Sequence, residues 1–219
     1  MSTVKDRALA HLLRYGLGLL ATICPEENRK SVESAIARLI AEGMVCVYPF
    51  FGNKKIYAPS PKAARLQGLD PKRFMRPPGP QAISDRLTIA MFCQKKGVEL
   101  LTRGEFATSF PEQAECSGIC HSRYFRDTSK PQPMLTVIVP DYGSSVRRTA
   151  RKARREIDKR KKHEAFRDLI YFNLFQVALV TLFDFKARAI AEALKRDTFP
   201  KTITVIPELA DLLLLGAKP

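Results

Sequence analysis

Residues 25–60 read PEENRKSVESAIARLIAEGMVCVYPFFGNKKIYAPS, and this stretch predicts one helix followed by a β-hairpin. Between residues 28 and 42 the apolar side chains recur at the spacing of a single buried helical stripe. They are Val32, Ile36, Leu39 and Ile40. Pro25 precedes this segment and Gly43 follows it, which is the punctuation expected at the two ends of a helix.

Two short β-prone runs follow the helix, at residues 44–48 and 55–58. The connection between them contains Gly52 and has a length that is normal for a hairpin. Two further helical segments are predicted upstream, ending at Tyr15 and covering residues 17–24. Three helices followed by a hairpin are the order of a winged helix-turn-helix.

The outward side of the third helix and the tip of the wing carry residue types that reach phosphates and base edges in DNA complexes. These candidate DNA-binding residues are Arg29, Lys30, Ser31, Ser34 and Arg38 on the helix, and Lys54 and Lys55 on the wing. Phe50 and Phe51 at the wing tip fit a minor-groove wedge, a dimer contact or a buried wing base, and the sequence leaves these alternatives open. The stretch therefore predicts that the protein binds duplex DNA.

The composition favours a polyanionic partner. The net charge of the 219 residues is +15, with a hydrophobic fraction of 45% and a charged fraction of 27%, which is typical of a folded basic protein. Neither a long apolar run nor a signal-peptide pattern occurs, so we expect a cytoplasmic protein that does not insert into a membrane. The five cysteines are scattered and do not indicate a disulfide framework.

Much of the charge lies in one predicted helix. Residues 147–162 hold ten basic and two acidic residues, so pairing within the helix leaves most of the cations unneutralised. A solvated helix face is the plain alternative, but beside a DNA-reading module we predict a second phosphate-contact surface. The candidate residues are Arg147, Arg148, Arg151, Lys152, Arg154, Arg155 and Lys159.

The pattern of the chain predicts two domains. Residues 70–81 contain four prolines and one glycine, which indicates a fairly stiff linker between a winged helix at 1–69 and a second domain at 82–219. In the second domain, predicted strands at 98–101, 118–127, 134–139, 175–183 and 201–206 alternate with helices, including one long helix at 144–167. This alternation favours an α/β layer structure with a mixed or parallel sheet, and the whole chain is predicted to be α+β.

The order of elements resembles the replication-relaxation family of plasmid proteins, over about residues 4–194. The similar pieces of the second domain are the strand that ends in Asp141-Tyr142-Gly143, the basic helix with Lys152, and the pattern VALVTLFDFKARAIAEAL from Val177. The resemblance implies a restriction-endonuclease-like second domain. It also implies an accessory role at an origin of transfer or replication, with a relaxase or replication protein as a further partner and a homodimer as a possible state.

The nuclease version of such a domain needs two acidic groups and a lysine around Mg²⁺ or Mn²⁺. Here Val139-Pro140-Asp141 stands where the family would carry a Glu-x-Asp unit, so a glutamate is missing and Asp141 and Lys152 are vestigial candidates only. Glu105 and Asp127 are spare carboxylates without a suitable spacing. We therefore expect no catalysis and no cofactor, and the divalent metal belongs only to the nuclease alternative.

Other chemistry is thinly represented. Cys116, Cys120 and His121 form the one metal-like cluster, which lacks a clear fourth ligand, so structural cysteines are the preferred interpretation. Tyr124, Tyr142 and Tyr171 could serve as relaxase-type nucleophiles but are more simply core or boundary aromatics. The leading hypothesis is a non-enzymatic, sequence-specific binder of double-stranded DNA from a plasmid or conjugative element. The alternatives are a metal-dependent nicking nuclease or relaxase, and a winged-helix transcriptional repressor.

Overall fold

A computed structural model describes residues 2–50, 53–119, 123–129 and 132–213, of which 211–213 are described by their backbone alone. The chain forms two compact units, one up to Met91 and the other over Phe92–Leu213. The division falls inside a helix, beyond the predicted linker at 70–81, and the predicted domain limits stay predictions. The content of helices and sheets agrees with the predicted α+β class.

The described residues of the first unit form four helices, a 3₁₀ helix and three strands. In chain order they are α1 (Val4–Tyr15), β1 (Gly18–Leu19), α2 (Arg29–Ala41), β2 (Val45–Pro49), β3 (Lys55–Pro59), α3 (Pro61–Leu66), the 3₁₀ helix Pro71–Phe74, and α4 (Pro80–Lys96), which continues past Met91. The three strands form an antiparallel sheet in the order β1-β3-β2.

Capping residues set the ends of the first two long helices. The Thr3 hydroxyl accepts a hydrogen bond from the Asp6 amide and the Asp6 carboxylate accepts one from the Thr3 amide, which completes a capping box at α1. At α2 the Asn28 side chain accepts from the Lys30 amide at 2.9 Å. Gly43, at φ 69°, takes the left-handed conformation that ends this helix.

The core of the first unit lies between α1 and α2, where Ala8 and Leu12 belong to one buried cluster with Val32, Ile36 and Leu39. The predicted burial of Ile40 is wrong, because this side chain is 39% exposed and Ala35 is buried instead. An α-helix has 3.6 residues per turn. A buried stripe centred on Val32, Ile36 and Leu39 therefore leaves Ile40 at the edge of the buried side.

The predicted helix at 17–24 is also wrong. This segment holds the two-residue strand β1 followed by turns, and Gly18 and Leu19 pair with Tyr57 and Ile56 of β3. A Cβ atom at Gly18 would lie 2.7 Å from Ile23 Cγ1, so the close return of the chain needs a glycine there. The pairing of β1 with β3, about 38 positions later in the chain, determines the conformation of residues 17–24. The local pattern of apolar residues does not reveal such a distant pairing.

The second unit has a mixed sheet covered by helices. After α4, its elements are α5 (Arg103–Ser109), α6 (Pro111–Ala114), β4 (Tyr124–Asp127), β5 (Met134–Pro140), α7 (Val146–Lys161), α8 (Glu164–Tyr171), β6 (Phe175–Thr181), α9 (Asp184–Ala193), β7 (Lys201–Val205) and α10 (Glu208–Leu213). The strand order is β4-β5-β6-β7, in which β4 runs antiparallel to β5 and the other pairs are parallel.

Every residue of β5 and β6 is buried, as the apolar runs predict for strands covered on both faces. Val137 stands opposite Val177 in the parallel register. The crossovers from β5 to β6 and from β6 to β7 contain α7 and α9, and these two helices pack on each other. The carboxyl ends of β5 and β6 therefore lead directly into the first turns of α7 and α9.

Two predicted elements of this unit are wrong, and one is shorter than expected. The predicted helix at 144–167 breaks after Lys161, and α8 restarts at Glu164, where it places Phe166 in the core. The predicted strand at 98–101 amounts to one isolated bridge between Leu100 and Phe125. Of the strand predicted at 118–127, the described residues show Tyr124–Asp127. Among the helices described, none has the length and apolar character needed to cross a membrane.

Candidate nucleic-acid interface

The helix α2 turns one polar side outward. Its predicted DNA-binding residues are all exposed, namely Arg29, Lys30, Ser31, Ser34 and Arg38. Arg29 Nε lies 3.0 Å from Glu33 Oε1, one turn along the helix. Within the described ranges, neither Lys30 nor Arg38 forms an ion pair. The two cations that face solvent thus have no acidic side chain to displace before they meet a phosphate or a base edge.

The hairpin β2–β3 presents two more cations at the end of its ladder. Pro49 and Lys55 form the last pair of the register, and the Phe50 amide donates to the Lys54 carbonyl at 2.8 Å. Lys54 and Lys55 are exposed, while Phe50 is half-buried. Phe51 and Gly52 lie outside the described residues. The hairpin therefore positions Lys54 and Lys55 at the end of the small sheet, as the wing prediction requires.

On α7, burial divides the helix into an apolar side and a cationic side. Ala150, Ala153 and Ile157 are buried in the core cluster, and Ser145 caps the helix by accepting from the Arg148 amide at 3.3 Å. The other side carries the residues that we call the basic stripe: Arg147, Arg148, Arg151, Lys152, Arg155 and Lys159. From first to last the stripe rises about 18 Å along the helix axis. Five of its members, with Ser145, line an open concavity of about 480 Å³.

Arg154 belongs to the same helix but has a partner. Its Nε and Nη2 atoms lie 2.9 Å from the two carboxylate oxygens of Asp197, and Nη2 also donates to the Ala193 carbonyl at 2.8 Å. Hydrogen bonding to Arg154 holds the pKa of Asp197 below its usual value, and the same contact raises the pKa of Arg154. The structure thus places Arg154 in the contact between α7 and the end of α9, apart from the basic stripe.

Arg160, which the sequence analysis counted among the basic residues of this helix without giving it a role, is 2% exposed. Its Nε donates to the Tyr124 hydroxyl at 2.8 Å and Nη1 pairs with Glu156 Oε2 at 2.7 Å. The guanidinium carbon also lies 5.1 Å from the Phe175 ring centroid and 5.7 Å from that of Phe166. In the sequence it is one more basic residue in a basic run, and no local signal separates it from its neighbours.

The two vestigial catalytic candidates lie near each other but have separate partners. Asp141 is buried at the carboxyl end of β5, where Oδ2 is 2.6 Å from Lys186 Nζ and Oδ1 accepts from the Ser144 amide at 3.1 Å. The Thr181 hydroxyl also donates to Oδ2, at 3.3 Å. Lys152 Nζ instead lies 3.4 Å from the Ser144 hydroxyl. Lys186, which the sequence did not single out, is therefore the charge partner of Asp141.

Among the described residues, the remaining candidates for chemistry do not form a metal site. No group of three His, Cys, Asp or Glu side chains suited to a metal occurs in the part of the chain that the structure describes. Cys120 and His121 of the metal-like cluster lie outside those residues. Tyr124 is buried against Arg160, and Tyr171 is 80% exposed. The four described cysteines form no disulfide bond.

Comparison with known proteins finds no matching family model and no matching curated protein. Among solved structures, the chain is similar to TrmBL2, an archaeal chromatin protein whose structure shows a novel mode of DNA binding. The match covers 94% of this chain and 76% of that one, with 13% identity and a TM-score of 0.26. A likeness at this score carries no argument about the fold or the function of this chain.

Proposed function

We propose that the protein binds double-stranded DNA sequence-specifically, with residues 1–69 acting as a winged helix-turn-helix. The observation that carries the proposal is the outward side of α2, where Lys30, Ser34 and Arg38 are exposed along one helix. A helix of this size fits the major groove, and amine, hydroxyl and guanidinium groups recognise base edges and phosphates there. The β2–β3 hairpin follows α2 as a wing would, although the strand β1 and turns stand where the second helix was predicted.

Phosphate contacts strengthen this binding without adding sequence information. The basic stripe on α7 and the hairpin lysines Lys54 and Lys55 are suited to such contacts, because these residues are exposed except for Lys152 and Lys159, which are half-buried. Each phosphate neutralised by a lysine or arginine releases condensed counterions. If six phosphates are neutralised, we expect the logarithm of the binding constant to fall with the logarithm of salt concentration at a slope of about −5.

We further propose that the second unit has a non-catalytic role, as an accessory domain at a plasmid origin of transfer or replication. The resemblance of the sequence to the replication-relaxation family motivates this role, including the restriction-endonuclease-like domain and a relaxase or replication protein as partner. The pairing of Asp141 with Lys186 supports the absence of catalysis, since a divalent metal would have to displace that lysine. A nicking assay with Mg²⁺ or Mn²⁺ tests it, and cleavage that is lost in Asp141→Ala would contradict it.

Selection of bound fragments from random and plasmid DNA tests the main proposal. We expect one enriched motif with the intact protein. Arg38→Ala should relax the sequence choice, whereas Arg151→Ala should weaken binding to all sequences about equally and make the salt slope shallower by about 1. The two variants are matched controls for each other, since each removes one exposed arginine. The absence of an enriched motif would contradict sequence-specific binding. The same behaviour from both variants would contradict the assignment of base recognition to α2 and of phosphate contacts to the basic stripe.

A further inference from the structure

The first turns of α7 and α9 lie at the same edge of the second unit's sheet. Both helices begin where a buried parallel strand ends, and the Asp141 amide donates to the Val180 carbonyl at 2.8 Å. The ion pair between Asp141 and Lys186 joins the loop before α7 to the first turn of α9 at 2.6 Å. Both partners are almost fully buried, so the two helix starts are held in a fixed relation.

An aromatic side chain stands at this edge. Phe185, in the first turn of α9 and next to Lys186, is 68% exposed. Its ring stacks on that of Phe183, with centroids 5.4 Å apart and an interplanar angle of 18°. Phe183 is itself half-buried and therefore supports the outer ring from behind. An exposed phenylalanine held in this way leaves flat apolar surface for a ligand with a π face.

Cations lie on the solvent side of the same helical layer. Arg188 is one turn from Phe185 on α9 and is exposed. The basic stripe covers the solvent side of α7, which packs beside α9. Asp184 and Glu192 are also exposed on α9, and Glu192 has Lys195 at 3.5 Å. An aromatic platform next to a row of cations is the combination that single-stranded nucleic acid requires.

We propose that the α7–α9 face binds single-stranded DNA, with an unpaired base stacked on Phe185 and the sugar-phosphate backbone following the basic stripe. A duplex keeps the faces of its bases inside the stack, so an exposed ring gains contact only with a base that is out of the helix. An anionic membrane fits less well, because among the described residues of α7 and α9 Phe185 is the one exposed large apolar side chain, and a helix that lies in a membrane interface buries a whole apolar face. The site is separate from the groove-reading surface of α2 and does not depend on it.

Fluorescence anisotropy of the full-length protein with a labelled oligo(dT) strand tests the proposal. The matched control for Phe185→Ala is Phe172→Ala, because Phe172 is 62% exposed and precedes β6 whereas Phe185 follows it. We expect Phe185→Ala to weaken binding of the strand about 5- to 150-fold, the range that the loss of one stacked base gives. Phe172→Ala should leave it unchanged, and the affinity of both variants for duplex DNA should stay that of the parent.

Two conservative variants keep the test decisive if Phe185→Ala is poorly folded. Phe185→Tyr retains a stacking ring and should bind oligo(dT) like the parent, whereas Phe185→Leu retains apolar volume without a π face and should bind weakly. Equal affinity of the tyrosine and leucine variants would overturn the proposal, and so would equal losses in Phe185→Ala and Phe172→Ala. Phe185-dependent binding to anionic vesicles without binding to oligo(dT) would assign the face to a membrane instead. Arg38→Ala should bind oligo(dT) like the parent even if it no longer recognises duplex DNA, so the two proposals can fail independently.

Discussion

Arg154 and Asp197 form a bidentate ion pair that fastens α7 to the segment after α9, with nitrogen–oxygen distances of 2.9 Å for both arms. The arginine also donates to the Ala193 carbonyl, so three acceptor atoms fix one guanidinium. Its side chain is 46% exposed, and solvent therefore screens the pair. The sequence predicts a phosphate contact for Arg154, and the structure gives it a partner within the second unit.

Arg154→Ala should lower the stability of the second unit by about 1 kcal/mol, the upper end for an exposed pair, because its geometry is bidentate. Chemical denaturation at low and high salt measures this, and the loss should shrink as salt increases. Arg155→Ala is the matched control, since Arg155 is exposed in the next position of the same helix. A larger loss in Arg155→Ala than in Arg154→Ala would contradict this assignment.

Arg160→Ala should be strongly destabilising, by about 3 kcal/mol or more, because it opens a cavity, removes the hydrogen bonds that Arg160 donates to the Tyr124 hydroxyl and breaks the ion pair with Glu156. Tyr124→Phe removes the hydroxyl alone and should cost about 1–2 kcal/mol. Denaturant midpoints of both variants, compared with Arg148→Ala on the exposed side of α7, measure the effect. If Arg160→Ala is as mild as Arg148→Ala, the guanidinium is not a core group.

Asp141→Ala should destabilise the protein by about 3–5 kcal/mol, because it leaves the Lys186 ammonium buried without its carboxylate. Replacing both partners, as in the double variant Asp141→Asn with Lys186→Met, should cost less than Asp141→Ala alone, since no uncompensated charge is left. Thermal unfolding of the three proteins measures the difference. A double variant no more stable than Asp141→Ala would show that the pair is not the dominant interaction of either residue.

His11 predicts a pH dependence of stability. Burial lowers its pKa from 6.5 to about 4. Its Nε2 atom has no hydrogen-bond partner among the described residues, and its ring lies 4.7 Å from that of Tyr15. Between pH 6.5 and 4, His11 is protonated in the unfolded chain but not in the folded protein. The free energy of unfolding therefore rises with pH in this window. The stabilisation is complete above pH 6.5 and is lost as the pH falls toward 4.

The measurement is the free energy of unfolding at pH 7 and at pH 5, for the parent and for His11→Phe. The phenylalanine keeps the ring beside Tyr15 and does not titrate. The parent should lose up to about 2 kcal/mol more than the variant on acidification, since one pH unit of linkage is worth about 1.4 kcal/mol. Identical losses in the two proteins would show that His11 takes up its proton in the folded state.

The elements of the fold that follow from the sequence are those with a strong local pattern. The α2 helix, the paired strands β2 and β3, and β5, β6 and α9 lie where periodicity and punctuation place them. The failures have one kind of cause. The apolar content of residues 17–24 is compatible with a helix and with a strand followed by turns. The pairing of Leu19 with Ile56 selects the strand. The end of α7 at Lys161 likewise depends on the burial of Phe166 in a core that local spacing does not show.

In the candidate interface, too, some features follow from local sequence patterns and others depend on tertiary packing. Exposure of Lys30 and Arg38 follows from the buried stripe on the opposite side of α2, which the sequence displays directly. The pairings of Arg154 with Asp197 and of Asp141 with Lys186 join residues 43 and 45 positions apart. Such partners are chosen by the packing of α7 against α9 and by the parallel register, and no motif spacing encodes them.

By itself, the sequence determined the basic charge of the protein, the α+β class and the two segments that carry most of the candidate DNA contacts. These properties depend on composition and on periodicities of two and 3.6 residues, which are local. Only the tertiary structure decided which cations remain available, because burial and ion pairing depend on residues distant along the chain. The tertiary structure buries Arg160 in the core, pairs Arg154 with Asp197, and leaves most of the basic stripe and the ring of Phe185 exposed.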